Sequence, residues 1–460
     1  MAAIIAVVKQ TIRASLRSRI FHVLFALILL AVIGLPLTVA GDGTAMGQLQ
    51  VCLTYSLGVV TSLISTATLW LGCSMLSREI EAYNMHLVLT KATPPWQVWL
   101  GKFLGVFLMN AVLLLVGAGV VLALVLWRVE TGRFPEDQLA KLKSEALVGR
   151  RSFYPDRPNF KKLTNDEYDK RLKKGTLEKA HDKTMVLAEI LRQVKANSTE
   201  VGAGTAPREF VFKNVRISGP EESMNLRYRF YAGSTSNSAQ RMMEGLWGVQ
   251  DPTDETGERV AVLPQRVISG IFHEITVPGT FVDAEGTVRV SYYNDDPKKE
   301  SAIFQIADGP TLLVRVTGFV ANYCRSMVLA VFQIAFLAAL GCTVGAAFST
   351  PVAAFVGVMY LAIGLIVQSA IDAPLRDDFG DFEYKGKTDR VLHYIAMTVG
   401  QVVVSVDDFD ATSDLARGRL IETGRIAVAL FGLLLFRSGL LLACGMLILT
   451  RRELGTVIRR

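Results

Sequence analysis

The residue types that most often carry catalysis or bind metals do not form a recognisable motif in this sequence. The five cysteines lie in or beside apolar stretches, and no Cys-x-x-Cys pair occurs, so neither a zinc ribbon nor a disulfide framework is indicated. His273-Glu274 does not extend to the His-Glu-x-x-His motif of zinc proteases. We therefore expect no catalytic site, no metal site and no cofactor bound by this chain, and we interpret the cysteines as packing residues.

A group of aspartates near the C-terminal end is a candidate cation-binding arrangement. Asp407, Asp408, Asp410 and Asp414 have a spacing that loosely resembles a calcium loop. The segment lacks the glycine at the sharp turn and the final bidentate glutamate of such loops. We favour a solvated acidic loop or a helix cap.

Nucleotide hydrolysis is not indicated either. Gly101-Lys102 is followed by Phe103 and has no glycine-rich loop before it, so the phosphate-binding Gly-x-x-x-x-Gly-Lys-Ser/Thr motif does not occur. We expect that this chain does not hydrolyse ATP by itself.

A charged cluster after the second apolar stretch is the most informative segment. It starts with Arg-Glu-x-Glu, continues as a short helical pattern and ends at Pro94-Pro95. A short rigid helix at a membrane surface can pass the movement of a bound partner to two membrane spans. The residues that we expect to contact such a partner are Arg78, Glu79, Glu81, Leu87, Leu89 and Lys91.

Arg437 stands inside the last apolar stretch. A charge at the centre of a bilayer costs about 2.5–3.5 kcal/mol on insertion scales, so Arg437 is expected to face the bundle interior, a wet cavity or another subunit. It is therefore a candidate for an intramembrane pathway or a subunit seam. Alternatively, a short re-entrant outer helix precedes the last span and places Arg437 near the interface.

Long apolar helices must position these residues. Hydrophobic residues make up 51% of the 460 residues and the mean hydropathy is +0.35, whereas charge is concentrated in 128–318. A spanning helix needs about 20 apolar residues. The expected spans are 20–40, 49–76, 104–127, two helices within the uncharged segment 326–371 that Ser349-Thr350-Pro351 separates, and 426–450.

The distribution of basic residues predicts the orientation. Lysines and arginines flank the spans at both termini and in 77–103, whereas the loop 41–48 has none. The positive-inside rule places both termini and 77–103 in the cytosol of a multi-pass protein of the cell membrane, and 129–318 and 372–425 outside. The formal charge of +7 is explained by this topology, and no nucleic-acid partner is expected.

The first residues, 2–18, form an amphipathic pattern. Its cations follow one another at i,i+4 on one face, and it is expected to lie flat at the inner leaflet unless it continues the first span. The apolar face predicted from the helical spacing consists of Ile5, Val8, Ile12 and Leu16.

The polar insert changes its periodicity along the chain. Residues 129–205 favour helices, whereas 206–318 show strand alternation, for example at Met224, Leu226 and Tyr228, with turn residues between the strands. We predict an extracytoplasmic α+β insert, with a helical segment (129–205) and a β-sandwich (206–318). Such a domain could bind a polysaccharide, lipid or protein, but aromatic residues such as Trp247 are interpreted as core, and no ligand site is assigned.

The predicted fold is therefore an α-helical membrane protein with six transmembrane helices and this insert between helices 3 and 4. Residues 1–128 hold the amphipathic helix, the first three spans and the cytosolic coupling helix. Residues 319–460 hold the last three spans and the outer loop 372–425.

The segment 77–103 resembles the coupling-helix segment of type-2 ABC exporter permeases, and more narrowly of those associated with multi-copper enzyme maturation and gliding motility. Three other stretches resemble the same family: Ser15 to Phe21, Phe348-Ser349-Thr350-Pro351, and Arg451-Arg452-Glu453-Leu454. The resemblance covers the spans. The long insert 129–318 differs from the short loop of many family members.

The resemblance implies a permease subunit that lacks a motor of its own. A separate ATP-binding subunit, holding ATP and magnesium, would dock on 77–97, and two copies or two related permeases would pair in the lipid bilayer. Export of a substrate, or mechanical action on an extracytoplasmic ligand or protein, would follow. The alternative is a membrane-anchored binding or scaffold protein. A secondary transporter is disfavoured because Arg437 has no evident acidic partner in the spans.

Overall fold

The protein divides into two compact units. The helical unit comprises Met1–Gly149, Thr317–Pro374 and Gly386–Arg460, and the strand unit comprises Arg150–Val316 and Leu375–Lys385. The computed structural model describes residues 2–17, 19–38, 44–82, 94–131, 134–156, 158–175, 183–217, 219, 221–233, 240–251, 260–305, 309–373, 375–376, 382–384, 386–401 and 403–451.

Twelve helices are described within these ranges, together with 3₁₀ turns at Gly279–Phe281 and Val406–Phe409. They are α1 (Ala2–Leu16), α2 (Arg19–Thr38), α3 (Ala45–Glu81), α4 (Pro95–Thr131), α5 (Glu136–Glu145), α6 (Phe160–Lys173), α7 (Lys183–Thr199), α8 (Phe319–Ala347), α9 (Thr350–Asp372), α10 (Lys387–Gly400), α11 (Thr412–Ala416) and α12 (Thr423–Arg451). Two of these helices contain π-helical segments, which are Cys52–Leu57 in α3 and Ala429–Ser438 in α12.

Five of the described helices are long and apolar enough to cross a membrane. They are α3, α4, α8, α9 and α12, and α1 together with Phe21–Val32 of α2 passes the same test as a pair bent by 66°. These helices are those of a multi-pass membrane protein. The arrangement of six spans, with the insert between the third and the fourth, stays a prediction.

Two of the long helices extend beyond the apolar stretches from which they were predicted. Helix α3 starts before and ends after 49–76, and α4 begins at Pro95, well before residue 104. Proline is favoured in the first helical turn because its missing N–H has no partner there, so Pro94-Pro95 precedes a helix as well as ending a pattern. Charged and aromatic residues that were expected in a loop, such as Lys102 and Trp99, therefore lie on α4.

The break between α8 and α9 is confirmed. Helix α8 ends at Ala347 and α9 begins at Thr350, with Ser349 in an extended conformation (φ −67°, ψ 157°) as the preceding cap residue. Pro351 occupies the first turn of α9, where it disturbs no helical hydrogen bond. The two helices are therefore joined by a very short turn.

Helix α1 packs on α4 through small polar residues rather than through its apolar face. Thr11 and Ser15 are buried, whereas Ile5 and Leu16, which were predicted on the apolar face, are exposed. A glycine of α4, Gly105, makes the close approach possible, because a Cβ atom there would lie 2.5 Å from the Cβ of Thr11. Small residues therefore form this contact, and the prediction that the apolar face lies on the inner leaflet stays a prediction.

The Gly105→Ala substitution tests this packing. The added methyl group would overlap Thr11, so we expect a loss of about 1–3 kcal/mol in stability, measured as a lower apparent melting temperature in detergent. Gly119→Ala in the same helix is the matched control, because nothing lies within 4 Å of its added Cβ. Equal stability of both variants would contradict the packing of α1 on α4.

The strand unit is built mainly from antiparallel strands. The strands of the chain are β1 (Val148–Phe153), β2 (Glu200–Val201), β3 (Arg208–Phe212), β4 (Ser223–Tyr228), β5 (Tyr231–Ala232), β6 (Met242–Gln250), β7 (Val260–Ile268), β8 (His273–Pro278), β9 (Val288–Asn294), β10 (Ala302–Ile303), β11 (Thr311–Gly318), β12 (Leu375–Arg376) and β13 (Phe382–Glu383). Two four-stranded sheets, β1-β11-β4-β8 and β3-β9-β6-β7, accompany smaller sheets β2-β10-β5 and β12-β13.

The inner faces of the two four-stranded sheets share one aromatic core, as in a β-sandwich. Met224, Leu226 and Tyr228 of β4 are fully buried, which confirms the alternation predicted for this strand. Trp247 of the other sheet is also fully buried, and its ring centroid lies 4.8 Å from that of Tyr228. The interpretation of Trp247 as a core residue is therefore confirmed.

The segment 129–205, predicted to be helical, differs in two respects. It contains helices α5, α6 and α7, but also β1 and β2, and β1 joins a sheet through its neighbour β11. Leu142 of α5 belongs to the core of the helical unit, where it packs with residues of α3 and α4. Tertiary pairing therefore overrides the weak helical pattern in this part of the chain.

Candidate coupling site

The last turn of α3 carries three of the six residues predicted to contact a motor subunit. Arg78, Glu79 and Glu81 lie there, and the helix ends at Glu81. The other three predicted contact residues, Leu87, Leu89 and Lys91, lie outside the described residues. The geometry of the site is therefore that of the helix end and its neighbours.

Glu79 forms an ion pair with Lys102 of α4. The Lys102 side chain is almost fully buried, with 5% of its surface exposed, whereas that of Glu79 is 27% exposed. A buried ammonium group without a counter-ion is strongly destabilising, so the carboxylate of Glu79 is needed beside it. This pair ties the end of α3 to the first turns of α4.

Glu81 binds the start of α9. Its Oε1 accepts a hydrogen bond from the Thr350 N–H at 2.8 Å, and its Oε2 accepts one from the Thr350 hydroxyl at 3.1 Å. The first N–H groups of a helix have no partner within the helix and carry partial positive charge, which a carboxylate stabilises. Ser77 adds a contact, because its Oγ lies 2.8 Å from Thr350 Oγ1.

Close helix packing lies behind this helix end. A Cβ atom on Gly72 of α3 would lie 3.0 Å from the Cα of Gly341 in α8, and one on Gly345 would lie 2.5 Å from the Cys73 carbonyl oxygen. Small residues let helix backbones approach closely in an apolar environment. The end of α3 is therefore held against three other helices.

Arg78 and Glu81 are exposed, whereas Glu79 is half-buried. Glu79 and Glu81 were predicted to contact a motor subunit, and the structure gives both of them partners within the chain. Sequence reasoning did not select Ser77, Lys102 or Thr350 as site residues. The signal that could have found Lys102 is the same one that drew attention to Arg437: a cation within an apolar stretch.

Glu79→Gln tests the buried ion pair. It leaves the ammonium group of Lys102 without its counter-ion Glu79. We therefore expect the free energy of unfolding to fall by about 3–5 kcal/mol, seen as a clearly lower apparent melting temperature in detergent. The double variant Glu79→Gln/Lys102→Met removes both charges and should recover most of that loss. A single variant as stable as the unmodified protein would show that the pair does not hold the helix end.

Arg437 lies in the π-helical segment of α12 and is half-buried. It lies within electrostatic reach of Tyr360 on α9 and of Asp408. The acidic residue near Arg437 therefore comes from outside the spans in which a partner was sought. Asp408 belongs to the 3₁₀ turn between α10 and α11 rather than to a span, so counting charges within the apolar stretches could not identify it.

Three members of the aspartate group support the local backbone and nearby arginines. Asp408 Oδ2 accepts a hydrogen bond from the Ser405 N–H at 3.1 Å, and Asp410 Oδ1 accepts one from the Thr412 N–H at 2.9 Å. Asp414 accepts a hydrogen bond from Arg425 at 2.9 Å. The first two contacts are those of the predicted caps, whereas the third is an ion pair between side chains. Within the part of the chain that the structure describes, no three His, Cys, Asp or Glu residues form a metal-binding group.

The fourth member, Asp407, lines a polar cavity of about 280 Å³ in the helical unit. Asp410, Thr54, Ser62 and Gln333 also line it. Burial raises the pKa of Asp407, and the charges of Asp410 and Asp372 raise it further. The cavity is therefore a place where an ionised carboxylate is less favourable than in water.

Because folding raises the pKa of Asp407, the effect of this residue on the stability of the protein depends on pH. A carboxyl group whose pKa is raised by folding stabilises the folded state at low pH, and this contribution is lost as the pH rises through the folded-state pKa. We therefore expect Asp407→Asn to raise the apparent melting temperature at pH 7, with a gain that shrinks towards about pH 4, the range of unfolded aspartate.

Asp414→Asn is the matched control for this experiment. It removes the hydrogen-bonded ion pair with Arg425, so it should lower the melting temperature at pH 7. A fall in melting temperature for Asp407→Asn at pH 7 would contradict the unfavourable environment of Asp407.

No protein-family model, no curated protein and no solved structure shows significant similarity to this chain.

Proposed function

We propose that the chain is the membrane-spanning permease subunit of an ABC transporter. A separate ATP-binding subunit would dock at the segment that follows α3 and drive export of a substrate, or mechanical action on an extracytoplasmic partner. The observation that carries this proposal is the double attachment of one helix end: Glu79 to Lys102 and Glu81 to Thr350. The resemblance of 77–103 to a coupling-helix segment points to the same place.

The double attachment suits mechanical transmission. Glu79 connects the helix end to α4, and Glu81 connects it to α9, so displacement of the end of α3 acts on three spans at once. Interactions of this kind are short and directional, and they leave little freedom between the helix end and its neighbours. A subunit that pushes on this end would therefore move the bundle rather than bend one loop.

The proposal includes six spans in the cell membrane with both termini in the cytosol. Two copies, or two related permeases, would pair in the bilayer, and ATP and magnesium would be held by the partner subunit. The strand unit would lie outside the cell.

Arg437 would line a substrate pathway or a subunit seam. Its electrostatic reach to Asp408, together with the polar cavity at Asp407 and Asp410, supports a polar route there.

Arg78 offers the sharpest test, because it is exposed and its substitution leaves both attachments intact. We expect Arg78→Glu to weaken the association with an ATP-binding subunit. The measurement is ATP hydrolysis that co-elutes with the tagged protein solubilised from its native membranes, with the partner identified by a phosphate-binding motif in its sequence. Exposed Arg417, near the start of the last span, provides the control Arg417→Glu, which should retain the activity.

The rival function makes the opposite prediction for the same experiment. A membrane-anchored binding or scaffold protein needs no motor, so no ATP-hydrolysing subunit should co-elute with the unmodified chain. That outcome would reject the permease. Equal co-elution with Arg78→Glu and the unmodified chain would remove Arg78 from the contact.

A further inference from the structure

A cavity of about 560 Å³ opens beside the aromatic core of the strand unit. The residues that matter in its lining are Tyr154, Asn197, Thr205, Arg208, Phe210 and Phe304. Its volume lies within the range of small-molecule sites, which is about 300–1,000 Å³. Phe210 and Phe304 are buried members of the core, whereas Tyr154 is 64% exposed at the rim. The cavity therefore runs from a solvent-exposed aromatic ring to the edge of the core.

Arg208 lies on the face of its strand that packs into the core. Side chains alternate along β3, so Arg208 lies on the same face as Phe210 and Phe212, which are buried in the sandwich. The guanidinium carbon of Arg208 lies 5.0 Å from the ring centroid of Phe210. A cation in the lining of the cavity is thus held against a ring of the aromatic core.

The guanidinium group of Arg208 is not fully satisfied. Its Nη1 atom is buried and has no hydrogen-bond partner among the described residues. Burial lowers the pKa of Arg208 to about 10, so the group stays charged at neutral pH. Buried charges in proteins are normally paired, and a buried donor without a partner is unfavourable. A cation in a cavity whose Nη1 has no hydrogen-bond partner in the described part of the chain is therefore a candidate ligand-binding group.

The carboxylates around the cavity limit which anion can bind. Asp156 forms an ion pair with Lys213 at 2.5 Å, and both side chains are more than half exposed. Glu200 and Glu209 are exposed at the rim. These acidic groups repel a ligand with two or more negative charges, whereas a single carboxylate matches the planar fork of one guanidinium group.

The other groups in the lining favour a ligand that also carries hydroxyls. Asn197 and Thr205 present an amide and a hydroxyl, and the exposed Tyr154 offers an aromatic face. Amide and hydroxyl groups can both donate and accept hydrogen bonds, as the hydroxyl groups of a sugar require. We propose that this cavity binds a carboxylated sugar of the uronic-acid type, with the carboxylate on Arg208 and the ring near Tyr154.

This inference does not rest on the proposed permease function, since the described residues that line the cavity all belong to the strand unit. The test uses the full-length protein in detergent micelles and D-glucuronate as the probe, with binding followed by saturation-transfer NMR. D-glucose, which has a similar ring without the charge, and inorganic phosphate serve as comparators. We expect saturable binding of glucuronate and much weaker binding of the other two.

Arg208→Gln removes the charge and should weaken glucuronate binding about tenfold or more, the loss typical of a charge-assisted hydrogen bond. Arg289→Gln is the matched control. Arg289 is an exposed, outward-facing residue of the adjacent strand β9, so binding should be unchanged. Arg208→Lys keeps the charge but not the fork, and it should also weaken binding, which gives a second measurement if Arg208→Gln does not fold.

Several results would overturn the proposal. Absence of saturable glucuronate binding by the unmodified protein would do so whatever the variants show. Equal binding of glucose would exclude the carboxylate as the recognised group, and preferential binding of phosphate would replace the sugar acid by a different anion. Full retention of glucuronate binding by a folded Arg208 variant would place the site elsewhere. None of these measurements involves an ATP-binding subunit.

Discussion

The burial of one ammonium group, that of Lys102, determines how the end of α3 is arranged. A cation with 5% of its side-chain surface exposed needs a counter-charge, and Glu79 provides it from the neighbouring helix. Residues two positions apart on a helix point about 200° apart, so Glu81 faces away from Glu79. One helical turn therefore reaches two neighbours, α4 through the ion pair and α9 through its first N–H group.

Features of the fold that depend on local pattern could be predicted from the sequence. The turn at Ser349-Thr350-Pro351 was predictable because proline restricts the residue before it and fits the first turn of a helix. The buried face of β4 was predictable because alternation has a period of two and one face is apolar. The contact face of α1 was not, because Thr11 meets Gly105 through close packing of small residues, which a search for apolar residues does not detect.

The candidate site could be predicted only in part for a similar reason. The sequence selected Glu79 and Glu81 in the loop predicted after the second span, but it could not show whether their carboxylates face a partner protein or the chain itself. Glu79 and Lys102 are 23 residues apart, and Glu81 and Thr350 are 269 apart. Such pairs come together only through helix packing, as does the approach of Arg437 to Asp408. Periodicity identifies the helix that carries a residue, not the residue that it will meet.

Lys102 and Arg208 show why the partner of a cation removed from water, rather than the extent of its burial, indicates its role. Lys102 has a carboxylate from another helix, so its charge is used to hold the fold together. Arg208 lies on a core-facing strand position with a buried nitrogen that has no hydrogen-bond partner among the described residues, and a cavity opens in front of it. Removing either charge from water costs free energy unless a partner group offsets it. Among the described residues, a carboxylate offsets the charge of Lys102, whereas Nη1 of Arg208 has no hydrogen-bond partner. This difference is the reason that we propose ligand binding for the strand unit and mechanical transmission for the end of α3.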